Sequence, residues 1–217
     1  MNRSIRLATS ALTACAALLL TACGGSDDSK DIDKIAGADA SGEKSASPSP
    51  SATADGIDRP AIKLPSDMKM LFENRETGDA VKDAILADNE RTVSTVWQAM
   101  ATGDAKHAGM AFYYTDQALT GVYKYATSNI DKNISWTGTL RYYDRQVTTF
   151  SKTSAAVTYC VDESRADLKN RKTGKRQGTK TTPNSYVYYN AGVKKNEDGV
   201  WQIWDISEDR GAQKCQP

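Results

Sequence analysis

The chain has 217 residues, a formal net charge of +1 and four cysteines. This near-neutral balance excludes a strongly basic nucleic-acid-binding protein. The length allows one domain of ordinary size and little else. All 17 aromatic residues (Phe, Trp and Tyr) lie at or after Phe72. Because a core needs apolar surface to offset backbone ordering, the folded domain is predicted to occupy the C-terminal part of the chain.

The first 22 residues have the pattern of an export signal. Two arginines precede an apolar run over residues 7–20, and polar residues follow directly after Cys23. The run is shorter than the about 20 apolar residues that span a bilayer, so a permanent transmembrane helix is disfavoured.

The tetrapeptide Leu20-Thr21-Ala22-Cys23 resembles the lipobox of bacterial lipoproteins. The resemblance implies cleavage before Cys23 and a diacylglycerol on its sulfur, and two acyl chains bind a membrane far more firmly than one. We therefore expect a signal peptide at residues 1–22 and an extracytoplasmic protein that a lipid anchors to the cell membrane. The alternative is an ordinary secretory signal that is cut elsewhere.

Residues 23–60 are predicted to form a disordered tether. They are rich in Ser, Ala, Gly and Asp, include the run SASPSPSATADG and contain no aromatic residue. The remaining residues, 61–217, are predicted to fold as one domain.

The first half of this domain has the 3.6-residue periodicity of helices. Apolar residues recur three and four apart between Asp79, a suitable N-cap, and Gly103, a suitable C-terminal stop. Glu90 falls outside this apolar stripe. A second, short helix is predicted to include residues 105–113, and a third to follow Asp116.

From Ser135 onward the period changes to two, and the residues become β-branched and aromatic. Strands are predicted around residues 135–144 and 154–162, and a hairpin around the turn at residues 196–199. Residues 165–180 are predicted as a long connection. Helices followed by antiparallel strands indicate an α+β domain in which the N-terminal helices pack on a curved antiparallel sheet of about four strands.

The domain resembles the nuclear transport factor 2-like superfamily, which includes ketosteroid isomerase and scytalone dehydratase. The resemblance lies in a long first helix ending in Gly103-Asp104, the segment YYTDQAL (113–119) and the last strand GVWQIWDIS (199–207). It implies a cone-like fold with an apolar pocket between the helices and the sheet. The whole chain also resembles uncharacterised lipoproteins of actinobacteria, which implies a location rather than an activity.

Such a pocket suits a small hydrophobic ligand with one or two polar groups. The candidates to line it are a polar residue in the stripe of the first helix and four strand residues: Asn89, Tyr142, Tyr188, Trp201 and Asp205. Asn89 has two interpretations, a ligand contact or a structural hydrogen bond. A tyrosine beside a buried aspartate could also supply the acid–base pair of an isomerase or a dehydratase.

The domain contains two cysteines, Cys160 and Cys215. Because an exported chain meets an oxidising environment, this even pair predicts a disulfide. Two free thiols or a thiol catalyst are the alternatives.

The segment RADLKNRKTGKRQGTK (165–180) carries seven basic residues against one acidic residue. Five of them are candidates for contact with wall phosphates or anionic lipid headgroups: Lys169, Arg171, Lys172, Lys175 and Arg176. The alternative is a solvated loop that keeps the surface polar.

No cofactor or metal site is predicted. The chain has one histidine, the domain cysteines are assigned to the disulfide, and no glycine motif for phosphate or dinucleotide binding occurs. We therefore expect a non-catalytic binding or assembly module for a small apolar ligand or an envelope partner, with no nucleic-acid partner. The alternatives are an isomerase-like or dehydratase-like enzyme with a Tyr/Asp pocket, and a structural envelope protein that forms a homodimer through its sheet.

Overall fold

The computed structural model describes residues 55–217. The predicted signal peptide, Cys23 and most of the predicted tether lie outside the described residues. The described part contains three α-helices and five strands, in the order β1 (Met68–Phe72), α1 (Ala80–Thr102), α2 (Ala108–Tyr113), α3 (Asp116–Asp131), β2 (Ile134–Thr149), β3 (Ser154–Asn170), β4 (Tyr186–Lys195) and β5 (Trp201–Arg210). Two short 3₁₀ helices, Pro183–Ser185 and Gln213–Cys215, precede β4 and follow β5. None of these helices is long and apolar enough to cross a membrane.

The five described strands form one sheet in the order β1-β2-β3-β4-β5. β1 pairs with β2 in parallel, and the other neighbours are antiparallel. The predicted α+β fold, with N-terminal helices packed on a sheet, is therefore confirmed, with one correction: the sheet is mixed and has a fifth strand. β1 was not predicted from the sequence, because its five residues, MKMLF, include none of the β-branched residues that favour strands.

α1 begins and ends where the sequence predicts. The Asp79 side chain accepts hydrogen bonds from the backbone N–H groups of Val81 and Lys82. Gly103 has a φ of 81°, a left-handed conformation that glycine adopts without strain, and its N–H donates to the carbonyl of Ala99. The second and third predicted helices correspond to α2 and α3, and the predicted strands correspond to β2 to β5.

The central turns of α1 are buried on all sides, charged residues included. Arg59 Nη2 donates to Asp88 Oδ1 at 3.1 Å, and the backbone N–H of Lys63 donates to Gln98 Oε1 at 2.6 Å. Glu90, which lies outside the apolar stripe, is only 7% exposed. These polar side chains are buried because the segments on both sides of β1 cover the helix, a long-range packing that helical periodicity does not reveal.

The two faces of the sheet have different neighbours. Helices α1 and α3 cover the inner face, whereas the segment after β5 folds over the outer face. There Cys160 of β3 and Cys215 form a disulfide with a Cα–Cα distance of 5.6 Å, which confirms the predicted pairing. Tyr143, Tyr186 and Tyr188 pack around this disulfide.

Candidate ligand-binding cavity

A cavity of about 550 Å³ lies between α1, α3 and the inner face of the sheet. Val93, Val96 and Val122 supply part of its apolar wall from the helices. Its lining residues with polar groups are Trp97, Tyr114, Gln117, Tyr125, Tyr142, Tyr159, Glu163, Tyr189, Asp205, Ser207, Glu208 and Arg210. The cavity therefore has aliphatic walls, several aromatic rings and a small set of charged groups.

Three tyrosines from neighbouring strands form an aromatic floor in this cavity: Tyr142, Tyr159 and Tyr189. Tyr159 and Tyr189 are direct partners in the register of β3 and β4, and their rings stack with centroids 5.2 Å apart. The Tyr142 ring centroid lies 6.0 Å from that of Tyr159. Because inward side chains of adjacent strands stand side by side, the strand register creates this floor.

The hydroxyl groups of the aromatic floor stay protonated. Burial raises the pKa of Tyr142, Tyr159 and Tyr189 well above their usual value. Trp97 Nε1 donates a hydrogen bond to the Tyr142 hydroxyl at 3.0 Å, and the Tyr189 hydroxyl donates to Glu208 Oε2 at 3.0 Å. The floor thus presents neutral rings, and these hydrogen bonds hold the hydroxyl groups of Tyr142 and Tyr189 in place.

An ion pair forms another part of the wall. Glu163 is 7% exposed, and its Oε2 accepts a hydrogen bond from Arg210 Nη1 at 2.6 Å. Burial raises the pKa of Glu163, and the Arg210 guanidinium opposes that shift. A carboxyl group with a raised pKa inside a cavity can serve as a polar contact for a ligand or as an acid–base group.

A bulge in β5 determines which of its side chains line the cavity. The pairing with β4 shifts by one residue between Ile203 and Asp205. Ile203 lies in the core before the bulge, whereas Ile206, Glu208 and Arg210 line the cavity after it. With a strict period of two, these even-numbered residues would lie on the face opposite to Ile203. The extra residue of the bulge places the charged side chains of Glu208 and Arg210 on the inner face instead.

Two of the five predicted pocket residues line the cavity, namely Tyr142 and Asp205. Asp205 accepts a hydrogen bond from Gln117 Nε2 at 2.6 Å, so the start of α3 and β5 meet at this point. The structure brings Tyr142 together with the aromatic floor rather than with an aspartate partner.

The other three predicted pocket residues lie outside the cavity lining. Trp201 is 2% exposed in the core, and its backbone N–H donates to Asp88 Oδ2 at 2.9 Å. Tyr188 lies on the outer face, where the Lys214 ammonium sits 3.0 Å from its ring centroid. Asn89 Oδ1 lies 3.5 Å from Arg145 Nη2, and its Nδ2 is buried without a hydrogen-bond partner among the described residues.

Several lining residues were not predicted from the sequence, although one of them, Tyr159, lies in a pattern that indicates its position. Tyr159 alternates with Val157 and Val161 in the period-two pattern of β3, so it could have been assigned to the inner face. Glu163 continues the same alternation, but a charged residue at an inward position is normally expected at the surface. Glu208 and Arg210 had no signal, because the bulge that turns them inward involves no glycine or proline in β5.

The anion-contact candidates have three different environments. Lys169 belongs to β3, which extends to Asn170, and its Nζ forms an ion pair with Asp67 at 2.6 Å. The Arg171 guanidinium lies against Gly103 at the C-terminal end of α1. The remaining three are exposed on the connection from β3 to β4: Lys172, Lys175 and Arg176. The predicted long connection therefore begins only after the end of β3.

No family model matches the sequence, and no curated protein matches it. Solved structures that are similar include a ketosteroid isomerase-like protein from Erwinia carotovora atroseptica, with 16% identity and a TM-score of 0.41 over 58% of this chain and 93% of that one. An NTF2-like protein of unknown function from Shewanella oneidensis has 16% identity and a TM-score of 0.36 over 56% and 95% of the two chains. A domain of unknown function with a cystatin-like fold from Nostoc punctiforme has 15% identity and a TM-score of 0.39 over 62% and 78%. These similarities are distant, and the fold assignment rests on the helices and strands described above.

Proposed function

We propose that the domain binds a small, largely apolar molecule in the cavity and performs no chemistry on it. The cavity itself carries this proposal, because its volume of about 550 Å³ lies within the range of roughly 300–1,000 Å³ that is typical of small-molecule sites. The aromatic floor supplies three of the six aromatic side chains in the lining, and a few charged groups at its edge can fix the orientation of a ligand.

The hydrogen bonds around the cavity favour binding over catalysis. Glu163 is held by Arg210, and the Tyr142 hydroxyl accepts from Trp97. General acid–base catalysis needs a group that reaches the substrate and exchanges a proton with it. Tyr142 and Asp205 both line the cavity, but within residues 55–217 no hydrogen bond joins them, which supports binding rather than proton transfer.

One observation favours a second candidate, an isomerase-like or dehydratase-like enzyme. Burial raises the pKa of Glu163 inside the cavity, and a proton held there could pass to a ligand. Native mass spectrometry of protein purified from its own membrane identifies a retained ligand, and NMR of that ligand before and after incubation with the protein distinguishes the two candidates. An unchanged mass together with an unchanged NMR spectrum supports binding. A rearranged product of the same mass, or a product that has lost water, supports the enzyme.

Narrowing the cavity at Gly121 is expected to weaken ligand binding without loss of stability. Gly121 lies on α3 in the cavity lining, and a Cβ atom there would have no atom within 4 Å. The variant Gly121→Trp should bind the neutral probe 2-naphthylmethanol at least about tenfold more weakly, as measured by isothermal titration calorimetry. Its free energy of unfolding should stay level or rise by up to about 1 kcal/mol, because glycine is a poor helix former.

The matched control for this experiment is Gly121→Ala. Alanine gives at least as large a gain in helix propensity but adds only one carbon, so its affinity for the probe should stay within about twofold of the wild type. Equal binding by the wild type and Gly121→Trp would contradict the proposal that this cavity is the ligand site.

We also propose that a lipid on Cys23 anchors the domain outside the cytoplasmic membrane. The lipobox-like tetrapeptide that ends at this cysteine supports the proposal. In the original host, Cys23→Ser is expected to lose incorporation of labelled palmitate and to move from the membrane fraction to the soluble fraction. Cys15→Ser, which alters the other cysteine of the leader, should keep both properties. Labelled, membrane-bound Cys23→Ser protein would contradict the proposal.

A further inference from the structure

The charged groups that line the cavity are unbalanced. They comprise three carboxylates and one guanidinium, namely Glu163, Asp205, Glu208 and Arg210. Arg210 donates to both Glu163 oxygens, at 2.6 and 3.3 Å, and to the carbonyl of Asn184 at 3.0 Å. The guanidinium therefore pairs most directly with Glu163, and one cation against three carboxylates leaves the lining with an excess of negative charge.

Both remaining carboxylates are held by neutral donors. Asp205 accepts from the Gln117 amide at 2.6 Å, and Glu208 accepts from the Tyr189 hydroxyl at 3.0 Å. In the part of the chain that the structure describes, neither forms an ion pair within 4.0 Å. Glu208 is exposed and Asp205 half-buried, so they form a negative rim where the cavity meets solvent.

Aromatic rings lie behind this negative rim. Trp97 and Tyr125 line the cavity together with the aromatic floor, and the ring faces of tryptophan and tyrosine attract cations. The Tyr189 ring belongs to the floor, and its hydroxyl reaches Glu208, so floor and rim are continuous. Tyr125 is 45% exposed, so its ring reaches the solvent beside the cavity.

We propose that the ligand is a cationic amphiphile, with an apolar and preferably aromatic body on the floor and an ammonium group at the rim formed by Asp205 and Glu208. This inference rests on the proposed function and specifies the ligand class of the same site. A neutral ligand gains only the burial of its apolar body. A cation also gains the attraction of two carboxylates and of the ring faces, whereas an anion is repelled.

Three probes that share one body test the charge preference: 2-naphthylmethylamine, 2-naphthylmethanol and 2-naphthoic acid. Calorimetric titration of the full chain should give an amine affinity at least about tenfold above that of the alcohol, with the acid weakest. The advantage of the amine over the alcohol should shrink in 1 M salt, because charges at the rim are screened over about 3 Å there.

Variants of the rim test which residues produce the preference. The double variant Asp205→Asn/Glu208→Gln keeps the hydrogen-bonding shape of both side chains and should reduce the advantage of the amine to less than about threefold. Asp209→Asn is the matched control, because Asp209 is an exposed carboxylate of β5 that pairs with Tyr188 and does not line the cavity. Asp209→Asn should leave the rank order of the three probe affinities, and the ratios between them, unchanged.

Each outcome decides the inference. Equal affinity for amine and alcohol, or tightest binding of the acid, overturns the cationic preference while leaving the proposed binding function in place. Failure of all three probes to bind overturns both. An amine preference that persists in Asp205→Asn/Glu208→Gln also overturns the proposal, since the attraction would then come from elsewhere.

Discussion

Replacing Glu90 with alanine is expected to lower the free energy of unfolding by about 3–5 kcal/mol, the cost of an uncompensated buried charge. The Arg145 side chain is 0% exposed, and its Nη1 donates to Glu90 Oε1 at 2.7 Å. Without that carboxylate, the guanidinium keeps the carbonyl of Leu86 as its other close acceptor, at 2.8 Å. Burial already lowers the pKa of Arg145, so the interior disfavours this cation unless it is paired.

Urea unfolding followed by tryptophan fluorescence measures the loss. The double variant Glu90→Leu/Arg145→Met removes both charges and should recover most of the stability, because apolar groups of similar volume can pack beside Phe72. Glu197→Ala removes an exposed carboxylate from the turn between β4 and β5 and should change the free energy by less than about 0.5 kcal/mol. A loss below about 1 kcal/mol for Glu90→Ala would contradict the prediction.

Removing the disulfide is expected to lower the free energy of unfolding by about 4 kcal/mol. The bond joins Cys160 to Cys215 across 55 residues, and in the chain-entropy model a loop of this length gives a stabilisation of that size. The loop includes the end of β3 and all of β4 and β5, which supply much of the cavity lining. In Cys160→Ala/Cys215→Ala, the C-terminal segment also loses its covalent attachment beside Tyr143, whose hydroxyl donates to the carbonyl of Cys215.

Urea unfolding of the double variant and of the reduced wild type should give the same stability, since both lack the cross-link. The oxidised wild type should show no free thiol from this pair when it is denatured without reductant. A difference of less than about 1 kcal/mol between the oxidised wild type and the double variant would mean that strain or residual structure in the unfolded chain cancels the entropic gain.

Local signals were sufficient to predict most of the fold from the sequence. Asp79 and Gly103 mark the ends of α1 because capping depends on a few adjacent backbone groups. The spacing of apolar residues changes from a helical period in α3 to a period of two in β2. This boundary is also a local signal, because each period reflects the geometry of one kind of element. β1 was missed because a short parallel edge strand is specified by its partner, here the register of Met68 with Gly138, and not by its own residues.

The candidate site was predicted only in part. Tyr142 follows from regular alternation along β2, so the inner face could be inferred from the sequence. Glu208 and Arg210 depend on a bulge whose position is set by pairing between two strands, and such a shift reverses the face of every later residue. The burial of Glu90 is likewise nonlocal, because Arg145 and the segments around β1 come from distant parts of the chain.

The winding of the chain over α1 has a practical consequence for producing the domain. Ile57 packs against the core, and Arg59 forms an ion pair with Asp88. The same Asp88 carboxylate accepts a hydrogen bond from the backbone N–H of Trp201, the first residue of β5. A recombinant fragment cut at residue 61, where the predicted tether ends, would lose these contacts. Fragments for crystallisation or calorimetry should therefore begin at or before Asp55, even though those first residues contain nothing aromatic.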